Sequence, residues 1–109
     1  DAELYDPATK TFTLINMPSG NGRLFHQATL LANGKVLITG GTTSNYLVSY
    51  ANGLVFDPIT NTFYTEASSM IYSRRFHTAC LLNYGSVLIV GGYSPQGGYT
   101  KTAEIFKPE

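Results

Sequence analysis

The hydrophobic residues of this chain occur in short runs and alternations, a pattern that predicts β-strands rather than helices. Residues 35–39 and 86–90 are rich in β-branched side chains, and a glycine pair follows each run, as is typical of buried strands. Phe12 and Phe63 each stand at the centre of a further short segment. Apolar residues do not recur at helical spacing beside capping residues in any window, so we predict an all-β fold.

The sequence contains two copies of one repeat. When residues 6–41 are laid over residues 57–92, 17 of the 36 positions are identical. The shared pattern is Arg-x-Phe-His, two leucines, a glycine, Val-Leu-Ile and Gly-Gly. We predict a single segment of repeats over residues 1–109: repeat 1 at about 2–52, repeat 2 at about 53–102, and a strand of a partial third repeat at 103–109.

Each repeat predicts four strands joined by turns. We place the first strand at about residues 24–32 and 76–83, the second at 35–41 and 86–92, the third at 2–6, 53–57 and 102–107, and the fourth at 10–16 and 62–67. Asn33-Gly34 is typical of a two-residue type I′ turn between the first and second strands. Asp6-Pro7 and Asp57-Pro58 are turn-forming pairs. Four-stranded antiparallel units at this period are typical of β-propeller blades.

Charge and composition argue against two classes of function. The seven lysines and arginines are scattered and are balanced by seven acidic residues, whereas a nucleic-acid-binding domain carries a basic patch. No apolar run approaches the roughly 18 residues that cross a bilayer. Charged residues make up 13% of the chain, against about 25% in typical soluble domains. We therefore expect neighbouring repeats or subunits to cover part of the surface.

Cys80 is the single cysteine of the sequence, so no disulfide can form within one copy. Its neighbours Ala79, Leu81 and Leu82 are apolar, which predicts that Cys80 is a small residue of the core. A single cysteine is compatible with either redox compartment.

The pattern of Arg-x-x-His, two leucines, an Asn-Gly type hairpin, Val-Leu-Ile, Gly-Gly and an aromatic-Asp-Pro turn resembles the kelch repeat. The resemblance covers essentially the whole chain and is closest to the longer repeats of secreted and microbial proteins, including the galactose oxidase and glyoxal oxidase type. It implies an all-β segment of a β-propeller with four-stranded antiparallel kelch blades, about two repeats and an incomplete ring. It also favours an extracellular location. Phe12 and Phe63 stand where kelch repeats usually carry Trp.

The residues that the two copies share have structural roles in such a repeat. We expect the glycine pairs where neighbouring blades leave no space for a side chain, the arginines on carbonyls at blade edges, and the histidines on the innermost strand. A histidine that recurs in every blade is expected to have a structural role rather than to mark a functional site. The structural motif comprises Arg23, His26, Gly40, Gly41, Asp57, Arg74, His77, Gly91 and Gly92.

Two repeats are too few for a closed ring, since kelch propellers usually have about six or seven blades. The exposed blade faces and strand edges would promote aggregation. Either the chain is a piece of a longer propeller, or several copies assemble as a ring or an extracellular filament. The first interpretation is favoured. Each copy contains the third strand three times but the fourth strand only twice, so copies that shared a blade would have too many third strands. The expected partners are further kelch blades of the same longer chain, or other copies of the chain.

Long connections gather on one face of an antiparallel blade, which we call the loop face. Residues 42–52 and 93–102 join the second strand to the third, and residues 17–22 and 68–73 lead into the first. Tyrosine-rich loops on a rigid scaffold can recognise protein or sugar. The candidate binding residues are Asn45, Tyr46, Tyr50, Tyr72, Tyr93, Gln96 and Tyr99.

We predict a non-catalytic protein that needs no cofactor and no metal. Relatives of the galactose oxidase type place a Tyr-His pair where this chain has Phe25-His26 and Phe76-His77, so the phenol that would ligate copper is missing. A metal site needs further ligands. Neither a Gly-x-Ser-x-Gly nucleophile elbow nor a phosphate-binding glycine loop occurs. An inactive or partial copper enzyme of this type is the enzymatic alternative.

Overall fold

Strands form the regular structure of the chain. The computed structural model describes residues 1–108, and a short 3-10 turn at Asn83–Gly85 is the only helical element in them. The predicted all-β fold is confirmed. Within the same residues no helix is long and apolar enough to cross a membrane. The strands are β1 (Ala2–Asp6), β2 (Thr11–Ile15), β3 (Gln27–Leu30), β4 (Val36–Thr39), β5 (Asn52–Asp57), β6 (Thr62–Ser69), β7 (Thr78–Leu81), β8 (Val87–Val90), β9 (Tyr93–Ser94), β10 (Gly98–Tyr99) and β11 (Ala103–Phe106).

The strands form antiparallel sheets that follow the order of the chain. β1 and β2 form the N-terminal hairpin, β3, β4, β5 and β6 form the central sheet in that order, and β7, β8 and β11 form the C-terminal sheet. β9 and β10 form a small hairpin that the sequence did not predict. The central sheet takes its first two strands from repeat 1 and its last two from repeat 2. The central sheet therefore begins within one sequence repeat and ends within the next.

The main core lies between the central and C-terminal sheets. Because side chains alternate along a strand, Leu37 and Val55 enter this layer from the central sheet. Val87, Ile89 and Phe106 enter it from the C-terminal sheet. All five are at most 3% exposed, and burying each such side chain contributes roughly 1.5–3 kcal/mol. Successive sheets thus adhere through an apolar layer.

Two other faces of these sheets are open. Val90 and Ile105 on the C-terminal sheet are 42% and 52% exposed, and Phe12 on the N-terminal hairpin is 66% exposed. Cys80 is also exposed, so its prediction as a core residue is wrong. It is the cross-strand partner of Leu88, on the side of the C-terminal sheet that points away from the core. Its neighbours Ala79 and Leu81 pack against the core from the other side of the strand.

The turns between the first and second strands of each repeat have three residues. Of Asn33 and Gly34, Gly34 alone has a positive φ, of 85°, and the Leu31 amide donates to the Lys35 carbonyl at 2.8 Å. A three-residue loop with glycine in the left-handed region fits this geometry. The prediction of a two-residue type I′ turn is therefore wrong. Leu31 and Lys35 are the last paired residues, so residues 32–34 form a three-residue loop.

Asp57 begins the turn between β5 and β6. Its Oδ1 accepts the Ile59 amide at 2.9 Å, and its Oδ2 lies 3.8 Å from Lys35 Nζ. Asp6 accepts the Ala8 amide at 2.9 Å in the equivalent turn of the N-terminal hairpin. The Asp-Pro pairs form turns, as the sequence indicates.

Candidate binding surface

The repeated arginine joins the second and third strands of each sheet at the loop face. Arg23 Nη1 donates to the carbonyl oxygens of Gly40 and Asn52, at 3.1 and 3.3 Å. Arg74 Nη1 donates to those of Gly91 and Thr102, at 3.0 and 3.2 Å. The guanidinium fork can serve several carbonyls at once. Each arginine thus bonds carbonyls of two neighbouring strands.

Glu104 completes the surroundings of Arg74. Its Oε2 accepts from Arg74 Nη2 at 2.7 Å, and the Arg74 side chain is fully buried. The two carboxylate oxygens also accept the backbone amides of Ile71 and Tyr72, at 2.5 and 3.2 Å. Charge-assisted bonds of this kind are about twice as strong as neutral ones. Glu104 therefore fixes the loop that links the central sheet to the C-terminal sheet.

Gly40 lies where the central sheet meets the Arg74–His77 segment, a contact that we call the seam. A Cβ on Gly40 would collide with the Arg74 carbonyl oxygen and with the His77 ring. Its φ of 66° also favours glycine. A Cβ on Gly91, the equivalent residue of repeat 2, would meet only a carbonyl oxygen at 3.7 Å. Crowding by a neighbouring sheet thus exists at Gly40, whereas Gly91 borders the open face.

The second glycine of each pair is crowded by its own sheet. A Cβ on Gly41 would lie 2.8 Å from the Leu24 carbonyl oxygen, and a Cβ on Gly92 would collide with that of Arg75. Both contacts involve backbone that leads into the first strand. A side chain at either position is therefore excluded by contacts within one sheet rather than between sheets.

His77 is buried in the seam, while its equivalent His26 is exposed. His77 Nε2 lies 3.0 Å from Thr39 Oγ1, and Nδ1 is buried without a hydrogen-bond partner. Burial lowers the pKa of His77 to about 4, and the nearby positive charge of Arg74 and the ring of His26 act in the same direction. Two histidines with the same sequence context thus have different environments.

Two of the predicted binding residues hold loops in place. Asn45 Oδ1 accepts the Leu47 amide at 3.1 Å. The Tyr50 hydroxyl donates to the Gly20 carbonyl at 2.8 Å, and the Arg23 guanidinium carbon lies 4.1 Å from the Tyr50 ring centre. The side chains of Asn45 and Tyr50 thus fix the conformation of loops that form the loop face.

Arg75 lies at the centre of an aromatic group that joins the loops of two sheets. Its guanidinium carbon is 4.7 Å from the ring centre of Tyr93, 5.2 Å from that of Tyr46 and 5.9 Å from that of Phe76, within the range of cation–π attraction. Phe25 packs on Phe76 with ring centres 4.3 Å apart. We call these five residues the Arg75 cluster. It forms only where a loop of the central sheet meets the C-terminal sheet.

The sequence interpretation did not select Phe25, Arg75 and Phe76 as binding residues. The available signal is that the two copies of the Arg-x-Phe-His motif differ at x, where Leu24 is replaced by Arg75. Phe25 and Phe76 have φ values of 61° and 57°, a region that is unfavourable for bulky side chains. This kink lies just before β3 and β7, so both strands begin later than predicted.

A cleft of about 210 Å³ lies beside the β9–β10 hairpin. Gln96 Oε1 accepts the hydroxyls of Ser73 and Ser94 at 3.1 and 2.6 Å. This orients the amide and leaves its nitrogen as a donor. The residues that line the cleft are neutral: Tyr72, Ser94, Gln96, Gly97, Thr100 and Thr102.

The predicted binding residues thus fall into three groups. Tyr46 and Tyr93 contact Arg75, and Tyr99 packs edge-on against Tyr93 with ring centres 5.3 Å apart. Tyr72 and Gln96 line the cleft. Asn45 and Tyr50 hold loops. Among residues 1–108, no group of three or more His, Cys, Asp or Glu side chains could hold a metal ion.

Comparison with known proteins does not identify a family. No protein-family model matches the chain, and no curated protein matches it. The resemblance to the kelch repeat therefore rests on the sequence motifs, which are the two copies at residues 23–41 and 74–92 and the aromatic-Asp-Pro turns at 5–7 and 56–58.

Proposed function

We propose that the chain is a non-catalytic binding or scaffold segment of a larger kelch-type β-propeller, which recognises protein or glycan through its loop face. The propeller assignment is supported by the four-stranded antiparallel central sheet, whose strands are ordered as in the chain. It is also supported by the face-to-face apolar packing of the next sheet on it. An extracellular location follows from the resemblance to secreted members of the kelch group.

The seam supports the same proposal. The Arg74–His77 segment of one unit fits against Thr39 and Gly40 of the unit before it. The Gly41 amide also donates to the Arg74 carbonyl at 2.8 Å. A contact in which one unit uses a different surface from its neighbour can be repeated around a ring.

The Arg75 cluster is the observation that carries the binding role. Loops from two successive units place tyrosines around one arginine, with Tyr46 54% exposed and the adjoining Tyr99 86% exposed. Tyrosine and arginine are the residue types that dominate binding energies at interfaces. An exposed group of them on one face of a rigid sheet assembly suits recognition better than catalysis.

The test uses the full natural protein that contains this chain. Material from its source is enriched on wild-type protein and on a variant with Tyr46→Ala and Tyr99→Ala, and affinities for the enriched partner are then measured by biolayer interferometry. We expect at least a roughly tenfold loss of affinity in the double variant. Tyr84→Ala is the matched control, because Tyr84 is fully exposed in a turn on the opposite face. Equal affinities for all three proteins would refute the binding role.

A second candidate is a structural subunit that assembles with copies of itself into a ring or an extracellular filament. The exposed apolar side chains Val90 and Ile105 favour it, because a further sheet must cover them to remove that surface from water. Native and denatured masses from the original source separate the candidates. A denatured mass near 11.9 kDa with a native mass at a multiple of it supports self-assembly. A several-fold larger denatured mass supports the propeller segment.

A further inference from the structure

Arg75 carries a charge that no acidic group of the described residues neutralises. The ion pairs in residues 1–108 join Lys35 to Asp57 and Arg74 to Glu104. Arg75 Nε is buried and has no hydrogen-bond partner. A guanidinium has five N–H donors, and the Arg75 side chain donates none of them to another described residue. Leaving a buried donor such as Nε–H unpaired is costly, so the site suits an anion that arrives from outside.

The fold itself does not require arginine at this position. Arg75 pairs with Tyr93 through backbone bonds of 2.9 and 2.8 Å, and Leu24 pairs with Thr42 in the same way at 2.7 and 2.9 Å. Leucine therefore fills the equivalent place in repeat 1. Arg75 therefore adds a positive charge and a planar set of hydrogen-bond donors at a position that backbone hydrogen bonds already fix.

The aromatic surroundings orient the guanidinium. Tyr93 and Tyr46 lie close to it, at 4.7 and 5.2 Å from its carbon to the ring centres, so its N–H edge is the part left for a ligand. A planar guanidinium matches a carboxylate with two parallel hydrogen bonds. The half-buried position reduces screening by solvent. These features favour a carboxylate over a neutral group.

An exposed aromatic ring adjoins this charge. Tyr99 packs edge-on against Tyr93, whose ring lies beside the guanidinium, with ring centres 5.3 Å apart. Tyr99 is 86% exposed, so its ring offers a flat apolar surface on which one face of a sugar ring can pack. The neutral cleft lies on the other face of the hairpin, because Ser94 follows Tyr93 in β9 and side chains alternate along a strand.

We infer that the Arg75 cluster and Tyr99 bind an acidic sugar unit of a polysaccharide, with its carboxylate on Arg75 and a sugar ring on Tyr99. This inference rests on the proposed function, because it names the partner of the same loop face. An exposed flat ring beside the charge favours a sugar over an acidic protein segment.

The experiment measures binding of defined probes to the full natural protein by isothermal titration calorimetry. The probes are trigalacturonate, its fully methyl-esterified form, triglutamate and inorganic phosphate. Trigalacturonate should bind at least about tenfold more tightly than its ester, because the ester cannot form the charge-assisted pair. Arg75→Leu should remove this difference, and Arg75→Lys should retain only part of it, since lysine lacks the planar fork.

Lys101→Gln is the matched control, because it removes one exposed positive charge from the loop at residues 93–102, which also contains Tyr93 and Tyr99. It should leave the affinity for trigalacturonate unchanged. Leucine at position 75 reproduces the residue found in repeat 1, so that variant should keep the fold, and a thermal unfolding curve checks this. An ester that binds as tightly as the acid, or Arg75→Leu protein that binds as tightly as wild type, would overturn the inference.

The other probes separate this inference from the proposed function. Tighter binding of triglutamate would replace the acidic sugar with an acidic protein segment, and equal binding of phosphate would reduce the site to a general anion site. If no probe binds at about 1 mM but Tyr46→Ala with Tyr99→Ala still weakens the natural partner, the acidic sugar is wrong and the binding face stands. If that double variant has no effect either, both proposals fail.

Discussion

Thr39 and His77 share a hydrogen bond across the seam, with Thr39 Oγ1 3.0 Å from His77 Nε2. Thr39 closes a strand of the central sheet, and His77 stands just before the first strand of the C-terminal sheet. Both side chains are at most 1% exposed. Because Nδ1 has no partner, a second proton on the ring would place an unpaired donor in the seam. The seam therefore holds the neutral imidazole.

Stability should decrease as the pH falls through the range in which unfolded histidine titrates. The folded-state pKa of His77, about 4, lies below the ordinary value of 6.5, so the unfolded chain takes up the proton first. The free energy of unfolding should decline between pH 6.5 and about 4, and the His77 contribution should then level off. A shift of this size corresponds to about 3 kcal/mol in total. Urea denaturation at a series of pH values measures it.

Replacement of each histidine isolates this contribution. His77→Gln should flatten the decline between pH 6.5 and 4, whereas His26→Gln should keep most of it, because His26 is exposed. Carboxylate titration is common to all three proteins and cancels in the comparison. An unchanged pH dependence in His77→Gln would contradict a neutral His77 in the seam.

Gly40→Ala should be strongly destabilising. Both Gly40 and Gly91 have positive φ, of 66° and 70°, so alanine at either position carries strain of about 1 kcal/mol. At Gly40 the methyl group also meets the Arg74 carbonyl and the His77 ring, which should add about 2 kcal/mol. Chemical denaturation of the two variants measures the difference.

The Gly91→Ala variant also reports on its surroundings in the natural protein. If a further unit packs on the open face there, Gly91→Ala should cost as much as Gly40→Ala. A total cost below about 1 kcal/mol for Gly40→Ala would contradict the close contact in the seam.

Glu104→Ala should destabilise the chain by about 3–5 kcal/mol, because it leaves the buried Arg74 guanidinium without its counter-charge. The amides of Ile71 and Tyr72 should also exchange hydrogen faster, since the carboxylate that accepts them is lost. Glu3→Ala is the control. Glu3 is the glutamate of β1 that corresponds to Glu104, and it is exposed, so its loss should change stability by no more than about 0.5 kcal/mol. Equal effects of the two substitutions would contradict the role of Glu104.

Cys80 should report whether a further sheet covers the open face. In the folded 109-residue chain the thiol is exposed, so iodoacetamide should alkylate it within about tenfold of the rate in urea. In a full propeller the next blade should slow the reaction by about a hundredfold or more. Mass spectrometry of timed samples measures both rates. Equal rates in the two folded proteins would argue against a covering sheet.

The sequence predicted the strands and their order because β-branched runs, glycine pairs and Asp-Pro turns are local signals. The motif shared by the two repeats also drew attention to Arg23 and Arg74, whose side chains donate to equivalent carbonyls. The Arg75 cluster was not predictable in this way, because Phe25 and Tyr46 meet Arg75 only after two sheets have packed. Glu104 was missed for the same reason: the residues it binds are about thirty positions away.

The β9–β10 hairpin and the fate of the loop tyrosines show a second limit. Tyr50 and Tyr99 look alike in the sequence, yet Tyr50 donates a hydrogen bond to a neighbouring loop while Tyr99 is 86% exposed. Their difference depends on whether a carbonyl lies within reach of the hydroxyl. Only the relative position of two loops determines that.

The asymmetry of the seam gives the repeat a direction. At this seam one unit offers Thr39 and Gly40, and the next unit supplies the His77 ring and the Arg74 carbonyl. Two units can therefore join front to back but not front to front. A tandem duplication of the coding segment would create a new joint with the same front-to-back geometry, so such an assembly can gain or lose whole units in evolution without a new type of interface.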